Sequence, residues 1–114
     1  MHDSVRGISA ELSANATDVE STAGKFNSFN SEGLTMKGNY GTINISGQNF
    51  VAWAWKAGGA ASSNTDGSIT SQVSASSEYG FSVVSWTGAG TSSAKTVGHG
   101  LSSAPKFIIT KCRE

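Results

Sequence analysis

Residues 48–58 read QNFVAWAWKAG, and this stretch decides the fold class. Aromatic and β-branched residues fill it, no proline interrupts it, and a glycine bounds it on each side, which is typical of a β-strand. Because side chains alternate across a strand, Val51, Trp53 and Trp55 share one face. The other face carries Phe50, Ala52, Ala54 and Lys56. A tryptophan hides roughly 150–250 Å² when it is buried, so the pattern predicts that the tryptophan face lies in the core.

Four further segments predict short antiparallel strands. Residues 34–37 alternate apolar and polar side chains, and residues 42–45 form a similar short run. Residues 80–88 and 106–112 are rich in β-branched and aromatic residues, and glycine-containing turns separate the segments. A lone hairpin is marginal in water, so the three strongest strands, including 50–56, are expected to share one sheet system and one core.

The first 23 residues leave the local conformation open. The spacing of Val5, Ile8 and Leu12 is that of a short helix. The many Ser, Thr, Asn and Asp residues around them compete for the backbone, and they equally suit an irregular or strand conformation. We favour the irregular or strand conformation.

The domain organisation expected from the sequence is a single β domain over residues 1–114. Residues 1–57 form its first half, which contains the tryptophan strand, and residues 80–114 form its second half. Residues 58–79 are low in complexity and carry few large apolar side chains, so they predict either a linker or a weak edge strand.

Composition and charge argue against several classes of partner. The chain has 114 residues and a formal net charge of zero, with only 14% charged residues, so its bulk charge attracts neither nucleic acid nor an anionic membrane. No apolar run approaches the ~20 residues of a membrane span, which predicts no membrane insertion. The N-terminal residues also lack the apolar core of a signal peptide.

The sequence offers no recognisable catalytic or metal-binding motif. His99 lies between two glycines, and because no acidic partner can be named for it we interpret it as a turn residue. Cys112 is the single cysteine, which excludes an internal disulfide and a multi-cysteine zinc site. Residues 64–67 contain one carboxylate only and predict a turn rather than a calcium loop. We therefore predict no enzymatic activity, no cofactor and no metal.

Three aromatic residues are the candidates for contact with a glycan. Tyr40, Tyr79 and Trp86 each lie beside a glycine-containing turn, where an exposed ring could stack on a sugar. Packing in the core is the alternative for each of them. Exposed coplanar aromatic rings beside Asn or Asp would favour sugar binding, whereas a flat polar surface over buried aromatic rings would favour a scaffold.

Several motifs carry a family resemblance. They are DSVRG at 3–7, SFNSEGL at 28–34, FVAWAWKAGG at 50–59, GFSVV at 80–84, VGHGL at 97–101 and APKFII at 104–109. Together they resemble a repeat domain found in tail-fibre-like or other virion-surface proteins of marine bacteriophages and in marine metagenomic sequences. The resemblance implies an antiparallel β-sandwich of the concanavalin-like or jelly-roll-like kind.

The order of the motifs departs from that family. In such repeats the Gly-Phe-Ser-Val segment opens a unit and the Val-Ala-Trp segment closes one, whereas here residues 50–59 precede residues 80–84. The chain is therefore expected to be an incomplete or permuted repeat unit.

Two functions follow as expectations. The first is a non-catalytic structural and adhesive module of a phage tail fibre or similar protein, on the virion surface or otherwise extracellular. Its partners would be other subunits or repeats of the same assembly, and we expect a homo-oligomer. The alternative is a carbohydrate-binding module of a secreted or surface protein, whose partner would be a host-surface glycan.

Overall fold

The computed structural model describes residues 1–38 and 43–114, and within them all regular secondary structure is β. The strands are β1 (Phe26–Asn30), β2 (Gly33–Met36), β3 (Ser62–Asn64), β4 (Ser71–Ser76) and β5 (Phe81–Trp86). They form two small antiparallel sheets with the orders β1-β2 and β3-β4-β5. The all-β prediction is confirmed, and the sandwich arrangement stays a prediction because neither sheet is closed.

The chain divides into two compact units. Unit 1 comprises Met1–Trp53 and Ile109–Glu114, and unit 2 comprises Ala54–Ile108. Both borders fall inside the segments that predicted the strongest strands, at 53–54 and at 108–109. These bounds differ from the halves that the sequence suggested.

Unit 2 is organised around β4, which pairs with β3 on one side and along its whole length with β5 on the other. Its Ser71, Val73 and Ser74 are buried, and the Ser74 hydroxyl donates a hydrogen bond to the Gly59 carbonyl at 2.7 Å. A buried serine is stable in a core when its hydroxyl is paired in this way. Residues 58–79, interpreted as a linker or weak edge strand, thus contain the central strand of this sheet.

Two of the predicted strands are confirmed. Residues 80–88 contain β5, and residues 34–37 contain most of β2. The partner of β2 is β1, which the sequence did not predict. Residues 43–45 form a turn and bend rather than a strand, and Thr42 lies outside the described residues.

Two of the three strongest strand predictions are wrong. Residues 50–56 and 106–112 belong to no sheet in the described chain, and Lys106 forms a bend. Trp53 and Trp55, predicted to be buried, are 75% and 66% exposed. An alternating pattern makes a segment suitable for a sheet, but a strand forms only where a neighbouring edge supplies the backbone hydrogen bonds. The predicted sheet shared by 50–56, 80–88 and 106–112 is therefore absent from the described part of this chain.

Unit 1 is stabilised by ion pairs around Glu20. Arg6 Nη1 lies 2.6 Å from Glu20 Oε2, and Arg113 Nη2 lies 2.7 Å from Glu20 Oε1. Arg6 also pairs with Asp3 at 2.6 Å. Hydrogen bonds, from Arg113 above all and also from Arg6, lower the pKa of Glu20 despite its partial burial. Residues 1–23 contain turns and isolated bridges and no helix, as the irregular interpretation predicts.

Candidate functional site

Residues 50–56 and 106–112, which we call the apolar segments, carry seven of the fifteen exposed large apolar side chains among the described residues, including the six most exposed. The exposed fractions of these seven side chains run from 53% for Phe50 to 80% for Phe107. At roughly 150–250 Å² per ring, the two aromatic side chains of these segments in each unit leave roughly 200–350 Å² uncovered there.

The backbone of the apolar segments takes part in no sheet or isolated bridge among the described residues. Among the described residues, no backbone–backbone hydrogen bond joins 50–56 or 106–112 to another part of the chain, apart from one at Arg113 just beyond the second segment. A segment that belongs to no sheet and exposes apolar side chains can add as a strand to the sheet edge of a partner.

An apolar groove in unit 1 borders the first apolar segment. It has a volume of about 300 Å³. Its lining combines side chains of β1 and β2 with residues of the segment, among them Phe26, Leu34, Met36, Phe50 and Val51. Leu34 and Met36 therefore line an open groove, which would accept an apolar side chain.

An aromatic cluster lies in unit 2, formed by Trp55, Lys56, Tyr79 and Phe81. The Trp55 and Phe81 rings stack with their centroids 5.8 Å apart and their planes 17° from parallel. The Lys56 ammonium lies 5.5 Å from the centre of the Tyr79 ring, a cation–π contact. Gly80, with φ of 63°, allows the tight turn that separates Tyr79 from Phe81.

Of the three predicted glycan contacts, the two described residues, Tyr79 and Trp86, are not brought together. Tyr79 is exposed and belongs to the aromatic cluster. Trp86 is also exposed but ends β5, ~17 Å along the strand from Phe81. Tyr40 lies outside the described residues. Trp55 was not among the predicted glycan contacts, because the alternation of 50–56 assigned its ring to the core.

A polar cleft of about 520 Å³ opens in the same unit. It is lined by Asp66, Ser77 and residues 97–102. His99 Nδ1 accepts a hydrogen bond from the Leu101 N–H at 3.0 Å, so the neutral ring carries its proton on Nε2. The cleft thus combines a carboxylate acceptor, a ring N–H donor and serine hydroxyls. Asp66 is the acidic neighbour of His99 that the sequence could not name.

Backbone and hydroxyl contacts hold the cleft wall against the start of β4. The Ser68 N–H donates to Thr96 Oγ1 at 2.9 Å, and the Thr96 N–H donates to Ser68 Oγ at 3.0 Å. The next residues along the chain, Ile69 and Val97, form a parallel bridge. The Ser71 hydroxyl then donates to the Gly98 carbonyl at 3.3 Å.

The glycines around His99 are required by close packing. A Cβ on Gly98 would lie 1.9 Å from Asn64 Oδ1, and a Cβ on Gly100, where φ is 70°, would lie 2.9 Å from Val73 Cγ1. The glycines on both sides of His99 therefore pack closely, Gly98 against Asn64 and Gly100 against Val73 of β4. Asn64 also accepts from the Asp66 N–H at 3.1 Å and donates to Asp66 Oδ2 at 2.8 Å, which fixes the carboxylate.

The described residues show no group of three or more His, Cys, Asp or Glu side chains that could hold a metal ion. They also contain no helix with the length and apolarity of a membrane span. One protein family model, described as a domain of unknown function (DUF7483), matches residues 1–114. No curated protein and no solved structure matches the chain.

Proposed function

The chain belongs to the DUF7483 family, and we propose that it is a non-catalytic structural and adhesive module of a phage tail fibre or similar surface protein. Its location would be the virion surface or the extracellular space, beside other subunits or repeats of the same assembly. The observation that carries the proposal is the exposure of the two apolar segments, because a surface of this kind is ordinarily covered by a partner.

The partner we propose is a second copy of the chain. Exposed aromatic side chains of the apolar segments lie in both units, and exposed apolar area of this kind is what a second copy could cover. A net charge of zero removes long-range repulsion between copies. Large apolar side chains alternate with small or polar ones along 51–56, as they do in a strand that pairs along one edge and buries one face.

Strand addition is the way in which the copies would associate. β3 is an edge of the described sheet of unit 2, and residues 50–56 are long enough to pair with all of it. The apolar groove of unit 1 is a second site of association, which could bind a side chain such as Phe107 of another copy. The strands that the sequence predicts would then form between chains instead of within one.

Light scattering during size-exclusion chromatography tests this function. The chain should elute as a dimer or higher oligomer at micromolar concentration. Trp53→Ser and Phe107→Ser should each shift the mass towards the monomer without loss of the β circular dichroism signal. Val19→Ser is the matched control, because Val19 is 63% exposed but lies outside the apolar segments. A monomer at every concentration, or equal behaviour of all three variants, would refute the assembly proposal.

A second candidate function, carbohydrate binding, is favoured by the aromatic cluster. The near-parallel Trp55 and Phe81 rings leave Trp55 largely exposed, and Tyr79 lies beside a lysine. Exposed rings of this kind present a flat apolar surface, which suits the C–H face of a pyranose. A glycan array with the whole chain should show binding, and Trp55→Ala should weaken that binding. Trp86→Ala should leave it unchanged, because Trp86 lies at the opposite end of β5 from Phe81. Equal losses from both variants would speak against the cluster.

A further inference from the structure

We propose that the polar cleft of unit 2 binds the hydroxyl groups of an uncharged saccharide. The inference rests on the carbohydrate-binding candidate function, and it adds a second, hydrogen-bonding subsite to the stacking surface of the aromatic cluster. The cleft volume of about 520 Å³ lies within the ~300–1,000 Å³ that is usual for a small-ligand site.

The polar groups of the cleft match the hydroxyl groups of a sugar. Each sugar hydroxyl both donates and accepts a hydrogen bond, so it needs acceptors and donors side by side. The Asp66 carboxylate accepts, His99 Nε2–H donates, and the hydroxyls of Ser77 and Ser102 do either. These groups lie on three separate stretches of chain that meet only in the folded unit.

The cleft is organised before any ligand arrives. Asn64 fixes the Asp66 carboxylate with a hydrogen bond of 2.8 Å, and the Leu101 N–H fixes the tautomer of His99. The close approach of Gly98 and Gly100 to their neighbours holds the backbone on either side of His99. A site that is already ordered loses little conformational entropy on binding.

The charge of the cleft selects against acidic ligands. Among the described residues that line it, Asp66 is the one carboxylate and there is no lysine or arginine. An acidic sugar would bring its carboxylate towards Asp66 with no cation to offset the repulsion. A neutral pyranose meets no such cost, and therefore the proposal names an uncharged saccharide.

The cleft and the aromatic cluster are joined through one turn. Ser77 lines the cleft, and Tyr79 of the cluster follows two residues later in the turn between β4 and β5. Two residues span at most ~7 Å, which is about the length of one sugar unit. A neutral oligosaccharide could thus stack on the cluster with one unit and bind the cleft with the next, so oligosaccharides should bind more tightly than monosaccharides.

The test is an array of neutral and acidic oligosaccharides, followed by calorimetric titration of the neutral ones that bind. Asp66→Asn and His99→Ala should each weaken binding by about tenfold to a hundredfold, as expected when a hydrogen bond to a charged or fixed group is lost. Glu78→Gln is the control, because Glu78 lies in the same turn, is exposed, and does not line the cleft. Circular dichroism and the melting temperature verify that each variant is folded.

Each outcome decides the matter. Loss with Asp66→Asn and His99→Ala but not with Glu78→Gln, together with a preference for neutral glycans, supports the cleft. Binding that Trp55→Ala abolishes while both cleft variants leave it intact overturns the cleft and keeps the carbohydrate function. A preference for acidic glycans overturns the charge argument and with it the proposal. An array on which no glycan binds refutes both the cleft and the carbohydrate function.

Discussion

Replacing Glu20 with glutamine should destabilise unit 1 by about 1.5–3 kcal/mol, an amount that follows from the exposure of its partners. The side chains of Arg6 and Glu20 are only 7% and 12% exposed, so this pair approaches the buried class, in which removal of one partner costs ~3–5 kcal/mol. The side chain of Arg113 is 46% exposed, and its pair belongs to the surface class of ~0–1 kcal/mol. Arg6 keeps its contact with Asp3 in the variant, which reduces the loss.

The pH dependence of stability gives the same pair a second signature. The pKa of Glu20 is lowered in the folded chain, first by its hydrogen bonds to Arg113. A carboxylate with a lowered folded pKa contributes stability above its unfolded pKa of about 4.3, and this contribution is lost as the pH falls through the folded pKa. The wild-type chain should therefore lose stability below about pH 5 more steeply than Glu20→Gln.

Urea denaturation of the whole chain, followed by circular dichroism between pH 3 and pH 7, measures both effects. Glu32→Gln is the matched control, because Glu32 is exposed in the turn between β1 and β2. If Glu20→Gln and Glu32→Gln denature alike at pH 7, the ion-pair network contributes nothing measurable and the reasoning fails. Parallel pH profiles of the wild type and Glu20→Gln would refute the assignment of the lowered pKa.

Two further predictions concern the sheet of unit 2. Gly58→Ala should destabilise the chain by ~3 kcal/mol or more, because its Cβ would lie 1.8 Å from the Ala75 carbonyl oxygen. Gly33→Ala is the control, since a Cβ at that position meets open space. Equal melting temperatures of the two variants would contradict the close packing at Gly58. Ser74→Ala should cost ~1–3 kcal/mol in urea denaturation, because the Gly59 carbonyl loses its buried donor, and a cost near zero would mean that this hydrogen bond is not formed.

The parts of the fold that could be predicted are those formed by local pattern. The alternation in 34–37 and the β-branched run in 80–88 each coincide with a strand, β2 and β5, whose partner lies next to it along the chain. β4 escaped recognition because Ser71 and Ser74 are buried through hydroxyl hydrogen bonds, while a sequence rich in serine resembles a linker.

The apolar segments show the limit of the same reasoning. Alternation in 50–56 indicates that the segment is suited to pairing, but it carries no information on whether the partner lies in the same chain. The predicted core position of Trp53 and Trp55 failed for this reason.

The polar cleft could not be found from spacing, because it depends on a pairing distant in sequence. Asp66 and His99 reach the same cleft through the contacts between Ser68 and Thr96. The glycines on each side of His99 were the one available signal, and they indicated a close backbone approach without naming the neighbour. Asp66 itself gave no signal beyond its turn.

Amide hydrogen exchange of residues 50–56 and 106–112, measured over a range of chain concentrations, tests the central claim most directly. The account predicts slow exchange of these amides at concentrations where the chain is oligomeric and fast exchange on dilution, because their hydrogen-bond partners come from another copy. The amides of β4 should stay protected throughout, since their partners lie within the chain. Fast exchange of both apolar segments at every concentration would contradict the claim that they complete their strands between copies.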